Sequence, residues 1–290
     1  MPHSASASDS GIQILPGPRA EFGESPFFDA RDGSVVYVDT LGSIIRHGSG
    51  DECARWPVGQ GISFAVPSVG GGYIVGLAQR GICRFDPISG SVDPIGVDLP
   101  TGHQSNDATL DAEGRLIFGT RSTDKASFDG ALFAVDEGGS RMIAQGFGLI
   151  NGLAVDARAG RLFVADTHPD IQAVWRYDYD LASGKLGYRQ EIFDFKSRQG
   201  RPDGAALDAD GNLWLAEIGG SAIVCLSPDG VLLDDIALPV SMPTKLCFNA
   251  SNRLFITTAS RGIDRAREPA AGRMLGLDMA GATITALAAV

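Results

Sequence analysis

The chain repeats one pattern six times, at intervals of about 40 to 50 residues, and this repeat constrains the fold more than any other feature. Each copy has a side chain that carries oxygen, an apolar run of strand length that closes on a turn, and a second apolar run. We call the six oxygen-bearing positions the marked positions. They are Glu24, Ser63, Asn106, Asn151, Asp203 and Thr244.

Each copy continues into further runs that are rich in β-forming residues and bounded by Gly, Asp or Asn. The second runs are 35–38, 73–75, 115–118, 161–164, 212–215 and 253–256. The third runs are 44–46, 83–85, 132–134, 174–176, 223–225 and 274–276. Segments such as 142–144 and 231–233 supply a fourth strand. Four short strands per repeat predict an all-β, six-bladed β-propeller with four antiparallel strands in each blade. The alternative, a pair of β-sandwiches, leaves the sixfold marked position unexplained.

The ends of the chain suggest how the ring closes. Residues 1–10 lack the apolar core of a secretion signal and are predicted to be a disordered tail, so that residues 11–290 form a single propeller domain. Two segments compete for the outermost strand of the last blade, namely 12–15 and 284–287. The sequence leaves that choice open.

The composition narrows the class of partner. A net charge of -11 over 290 residues, without clustered Lys and Arg, argues against nucleic acid. No apolar run is long enough to span a membrane. The four cysteines form no Cys-x-x-Cys pair, so we expect a cytoplasmic protein with reduced thiols, of which Cys225 and Cys247 are buried. His47, in a third strand, is expected at the surface.

In a propeller the first strand of each blade lines the central channel, so the marked side chains should meet at one end of it. They would bring together two carboxylates, two amides and two hydroxyls, a donor set suited to a hard divalent cation. No marked position carries Lys or Arg, so a metal ion is the simplest neutraliser of the carboxylates. Taken singly, Asn151-Gly152 and Asp203-Gly204 are equally typical of hairpin turns.

Several short motifs, taken in order, resemble the regucalcin/gluconolactonase family, the senescence marker protein-like lactonases. They are Gly23-Glu24-Ser25-Pro26, where the family has Gly-Glu-Gly-Pro, then Asn106-Asp107, Asn151-Gly152-Leu153, Pro202-Asp203-Gly204 and 257–262. The resemblance covers nearly the whole chain. It implies a six-bladed propeller enzyme that uses a metal to hydrolyse sugar-acid lactones such as glucono-, galactono-, xylono- or arabinolactone.

The resemblance also implies residue roles. Glu24, Asn151 and Asp203 would hold one divalent metal ion, and Asp203 would also accept a proton from water. Asn106 would lie near the metal and the substrate, and Asp124 matches a family Glu that holds substrate hydroxyls. The all-oxygen set favours Ca²⁺, Mg²⁺ or Mn²⁺, although Zn²⁺ and Fe²⁺ also accept carboxylates.

Three positions depart from the family pattern. Gln104 replaces an Arg, Phe27 replaces a Trp, and Asn249-Ala250 replaces Gly-Gly. An amide pairs well with hydroxyls, so Gln104 predicts that the pocket prefers a neutral polyol lactone. Two other functions stay open: a metal-dependent hydrolase of other esters or phosphotriesters, and a non-catalytic binding propeller with a structural ion.

Overall fold

The computed structural model describes residues 11–50 and 52–279, and these residues form twenty-four β strands without a helix. The tail predicted at 1–10 and the candidate strand at 284–287 lie outside the described residues. Within the described ranges, no helix has the length and hydropathy needed to cross a membrane.

The strands form six four-stranded antiparallel sheets, which are the blades. The chain begins with the short strand β1 (Gln13–Ile14). Blade 1 follows with β2 (Gly23–Asp29), β3 (Ser34–Asp39), β4 (Ser43–His47) and β5 (Cys53–Pro57). Blade 2 has β6 (Ile62–Pro67), β7 (Tyr73–Leu77), β8 (Gly81–Phe85) and β9 (Val92–Pro94). Blade 3 has β10 (His103–Leu110), β11 (Leu116–Ser122), β12 (Gly130–Asp136) and β13 (Gly139–Phe147).

The second half of the ring repeats this order. Blade 4 has β14 (Ile150–Asp156), β15 (Arg161–Asp166), β16 (Ala173–Asp180) and β17 (Lys185–Asp194). Blade 5 has β18 (Arg201–Leu207), β19 (Leu213–Ile218), β20 (Ala222–Leu226) and β21 (Leu232–Ala237). Blade 6 has β22 (Pro243–Phe248), β23 (Arg253–Thr258) and β24 (Leu275–Asp278), with β1 as its fourth strand. The first strands of neighbouring blades contact one another all around, including β22 with β2. The six-bladed propeller is confirmed, and the β-sandwich alternative is wrong.

The N-terminal segment closes the ring. Gln13 pairs with Gly276 and Ile14 with Leu275, so β1 is the outermost strand of blade 6. The next residues of this segment cover His47, whose Nε2 lies 3.0 Å from the carbonyl oxygen of Pro16. His47 is therefore buried, and its predicted surface position is wrong.

Burial falls from the second strand of a blade to its outermost strand. Every residue of β3 is buried, whereas five of the six residues of β21 are exposed. The apolar core is divided into layers between neighbouring blades. Between blades 2 and 3, the rings of Phe64 and Phe118 lie 6.3 Å apart, and both side chains are fully buried. Cys225 and Cys247 are buried as predicted.

The turn residue of the repeat caps the hairpin between the first two strands. Oδ1 of Asp111 accepts the backbone N–H of Glu113 at 3.0 Å and of Arg115 at 2.8 Å. Oδ1 of Asp208 does the same in blade 5. Gly114 supplies the positive φ, 81°, that this turn requires. Because the same turn residues recur in these hairpins, the repeat can be recognised in the sequence.

Candidate active site

Every innermost strand loses its pairing register beside its marked position. The irregularities lie at Glu24/Phe27, Ile62/Phe64, Ser105/Ala108, Asn151/Ala154, Pro202/Ala205 and Pro243/Lys245. A β-bulge bends its strand and changes the direction of the side chain at the bulge. The sixfold bulge therefore sets the direction of the marked side chains at the channel.

A cavity of about 750 Å³ opens at this end of the channel, and we call it the cup. Five of the six marked side chains line it: Glu24, Ser63, Asn106, Asn151 and Asp203. Thr244 does not line it, because its buried hydroxyl donates to the carbonyl oxygen of Gly23 at 2.6 Å. The predicted convergence of all six side chains is thus wrong at Thr244, whose oxygen ties blade 6 to blade 1.

The two marked amides are held by one hydrogen-bonded chain. Nδ2 of Asn106 donates to Oδ1 of Asn151 at 2.8 Å, and Nδ2 of Asn151 donates to Oγ1 of Thr167 at 2.6 Å. Thr167 in turn donates to the carbonyl oxygen of Pro202 at 2.7 Å. This chain joins blades 3, 4 and 5, and it leaves the Oδ1 atom of Asn151 an acceptor with one further lone pair.

The two marked carboxylates, of which Asp203 is buried and Glu24 is partly buried, both have shifted pKa values. Burial, then the charge of Asp107, raise the pKa of Glu24 to about 8, although a hydrogen bond from the backbone N–H of Ser25 opposes this shift. Burial, then the charges of Glu24 and Asp107, raise the pKa of Asp203 well above its ordinary value. Among the described residues, none donates a hydrogen bond to the Asp203 carboxylate. Both groups consequently need a proton or a cation.

Part of that positive charge comes from Lys245, which does not occupy a marked position. Lys245, one residue after Thr244, is buried; its Nζ pairs with Oδ1 of Asp107 and donates to the carbonyl oxygen of Ala108 at 2.8 Å. The carboxylates thus have a protein cation nearby, although no marked position is Lys or Arg. The charge of Lys245 lowers the pKa of Glu24, and the charges of Arg201 and then Lys245 lower the pKa of Asp203. These two cations do not balance the three carboxylates of Glu24, Asp107 and Asp203.

We call the part of the cup lined by Glu24, Asn151 and Asp203 its floor, and the remaining lining its walls. The donors of the floor are compatible with one divalent cation. Glu24 and Asp203 offer anionic oxygens, Asn151 offers an amide oxygen, and all three line the cup. Hard cations such as Ca²⁺ and Mg²⁺ take such oxygens. The described residues contain no cluster of three or more His, Cys, Asp or Glu side chains that could hold a metal, since an amide is the third donor here.

The predicted substrate-binding residues also line the cup. Gln104 lies above Asn106, and its Oε1 accepts a hydrogen bond from Nη2 of Arg121 at 3.1 Å. Asp124 lies in the exposed loop after β11, where its Oδ1 accepts the backbone N–H of Ala126 at 3.0 Å. Both residues therefore line the same cavity as Glu24, Asn151 and Asp203.

The residues two positions before the marked ones form an upper ring in the cup. All six line the cavity: Phe22, Gly61, Gln104, Leu149, Arg201 and Met242. Residues i and i−2 of a strand share a face, so this ring was available in the sequence as a second sixfold position. The sequence analysis did not identify Arg201, in β18, or Arg121, in β11. His168, which follows Thr167, lines the cup, whereas His103, the first residue of β10, lies against Asp129.

The pattern of six bulged strands around an oxygen-lined cup agrees with a family match. The SMP-30/gluconolactonase/LRE-like family model matches residues 22–260. The chain belongs to this family. The match spans all six marked positions and ends inside the 257–262 motif.

Individual relatives within the family are distant. The chain is 29% identical to regucalcin of Danio rerio over 280 residues, which cover 90% of this chain and 92% of the relative. It is 34% identical to a 6-deoxy-6-sulfogluconolactonase of Pseudomonas putida over 197 residues, or 66% of each chain. The crystal structure of a calcium-binding regucalcin from Agrobacterium tumefaciens has the same fold, with a TM-score of 0.82, 21% identity, and 93% of each chain covered.

A second cavity, of about 450 Å³, lies at the other end of the channel. Its walls are mostly apolar and come from residues after the bulges, such as Ala108, Ala154 and Ala205. Lys245 also lines it, so this side chain lies between the two cavities. Among the described residues, the marked carboxylates and amides line the cup, and none of them lines the second cavity.

Proposed function

We propose that this protein hydrolyses a sugar-acid lactone with the help of one divalent metal ion held by Glu24, Asn151 and Asp203. The observation that carries the proposal is the buried carboxylate of Asp203. It has no hydrogen-bond donor among the described residues, and it shares the floor of a cup with Glu24 and Asn151. Lactonases among the relatives support the same chemistry.

The metal, when bound, supplies a Lewis acid that polarises the lactone carbonyl. The chain's own residues do the remaining work. Asp203 accepts a proton from the attacking water, and its burial makes it a stronger base than an exposed Asp. Asn106, held by its bonds to Asn151 and to the carbonyl oxygen of Ile150, presents its free amide oxygen to the substrate.

The walls position the sugar ring above the floor. Gln104 and Asp124 are placed to bond its hydroxyls, while Phe22, Leu149 and Met242 offer apolar surface. A cavity of about 750 Å³ holds a five- or six-membered sugar lactone with water to spare. The deep, closed floor keeps the reacting carbonyl away from bulk solvent.

A pH-indicator assay with a panel of pentono- and hexonolactones, with and without chelator, tests this proposal. We expect turnover that chelator abolishes and added divalent metal restores. A simple carboxylic ester and a phosphotriester in the same panel test the alternative hydrolase. If chelation lowers the melting temperature but no lactone or ester is hydrolysed above its spontaneous rate, the protein is a binding propeller and the proposal is wrong.

A further inference from the structure

The walls of the cup carry a charge opposite in sign to the net charge of the molecule. The chain carries a net charge of -11, yet the walls above the floor carry four cations and a single carboxylate. The cations are Arg121, Lys125, Arg201 and Arg261, and the carboxylate is Asp124. A cationic wall inside an acidic protein concentrates positive potential in the cavity.

The four wall cations have no ion-pair partner among the described residues. Ten other arginines and Lys245 form ion pairs with Asp or Glu, but within residues 11–50 and 52–279 none of the four wall cations does. Arg121 donates to the amide oxygen of Gln104 at 3.1 Å, and Arg201 donates to the carbonyl oxygen of Thr167 at 3.2 Å. Both guanidinium groups are half-buried and anchored, with donors left over.

Arg121 and Arg201 lie on either side of the part of the cup that blade 4 lines. Arg121 belongs to blade 3 and its backbone bridges to Leu149, at the entry of blade 4. Arg201 belongs to blade 5, and its side chain reaches back to Thr167 of blade 4. His168 follows Thr167, and its Nε2 lies 3.2 Å from the carbonyl oxygen of Lys125. Arg121 and Arg201 therefore lie on the two sides of blade 4.

We infer that this enzyme takes lactones that carry an anionic group, such as a sulfonate, phosphate or carboxylate, on the carbon farthest from the lactone carbonyl. The inference rests on the proposed function, which places the carbonyl on the floor. The distal group then lies at the wall, where Arg121 and Arg201 meet it with forked donors. Gln104 alone predicts a preference for a neutral polyol. Its amide oxygen, however, already accepts a hydrogen bond from Arg121, so a cation lies beside this position and can attract an anionic ligand.

The test compares kcat/KM for D-glucono-1,5-lactone with kcat/KM for analogues that carry phosphate, sulfonate or carboxylate at C6. We expect at least one anionic lactone to be preferred about 10-fold or more, as a charged hydrogen bond allows. Its kcat/KM should fall as NaCl rises from about 20 to 500 mM, because salt screens the wall. Which of the three analogues is preferred identifies the anionic group.

Variants assign the preference to the wall. Arg121→Gln and Arg201→Gln should each lower the ratio of anionic to neutral kcat/KM by about 10-fold or more. Arg121→Lys should keep part of the ratio, because it retains the charge but not the fork. Arg158→Gln is the matched control, since Arg158 lines the cavity at the other end of the channel and the same charge is lost there.

Two results would overturn the inference: a wild-type preference for the neutral lactone, or a ratio that neither Arg121→Gln nor Arg201→Gln changes. Calorimetric titration with gluconate and 6-phosphogluconate separates this inference from the proposed function. If no lactone is hydrolysed, the proposed function fails. Tighter binding of 6-phosphogluconate that Arg121→Gln abolishes would still support the anion site, and equal binding of both acids would refute it.

Discussion

Lys245 and Asp107 form an ion pair across the central channel, between the first strands of blades 6 and 3. Both side chains are nearly inaccessible to solvent, and Nζ of Lys245 also lies 5.4 Å from the ring centroid of Phe27 in blade 1. Asp107 is held from a third side by the backbone N–H of Leu153 at 3.0 Å. The pair thus links four blades directly beneath the cup.

Lys245→Met should destabilise the protein by about 3–5 kcal/mol, because it leaves the buried Asp107 without its counter-ion. The free energy of unfolding from urea denaturation measures the loss. Lys245→Met/Asp107→Asn should recover much of it, since the double variant removes both charges. A loss below about 1 kcal/mol in the single variant would show that the pair contributes little to stability.

Asp203→Asn should lower kcat by about 10²-fold or more, because it removes the group that accepts a proton from water. The fold should persist, which circular dichroism and the melting temperature can verify. Asp156→Asn makes the same chemical change in the hairpin turn of blade 4, at the opposite end of the channel, and serves as the matched control. Near-normal kcat in Asp203→Asn would rule out Asp203 as the base.

The metal-free protein should lose stability as the pH rises. The pKa of Glu24 is raised from its ordinary value of 4.5 to about 8, chiefly by burial. The protonated form is therefore favoured by folding, and its contribution is complete below pH 4.5 and lost as the pH rises through 8. With chelator present, the melting temperature should fall over this window, whereas a saturating divalent cation should remove the fall.

Glu24→Gln provides the comparison for that titration. The variant cannot ionise at this position, so its melting temperature in chelator should fall less with pH than that of the wild type. It should also bind a divalent cation more weakly, because one anionic ligand has become neutral. Identical pH profiles for the two proteins would show that Glu24 is not the group responsible.

Ser25→Gly should stabilise the protein by about 1 kcal/mol. Ser25 has a φ of 47°, in the left-handed region where a side chain costs about 1–2 kcal/mol. Its buried Oγ also has no hydrogen-bond partner among the described residues. The family motif has Gly at this position. Ser25→Ala removes the hydroxyl but keeps the strained φ, so the difference between the two variants in thermal denaturation isolates the backbone contribution.

The sequence by itself determined the number of blades, the strands within them and most of the residues on the floor of the cup. These features are local: the turn chemistry of Asp111 and Asp208, the alternation of short strands and the marked positions all repeat within one blade. A local pattern that repeats six times can be recognised in the sequence because each copy must bury the same faces against its neighbours.

Only the tertiary structure decided what meets across the ring. Lys245 reaches Asp107 although 138 residues separate them, and Thr244 turns away to bond the carbonyl oxygen of Gly23. β1 closes blade 6 by pairing with β24, a choice that two equally apolar ends left open. Arg121 and Arg201 come from different blades, and only the tertiary structure places both in the wall of one cavity. The bulge in each strand decides which side chain faces the channel, and contacts between distant blades decide which charges that channel brings together.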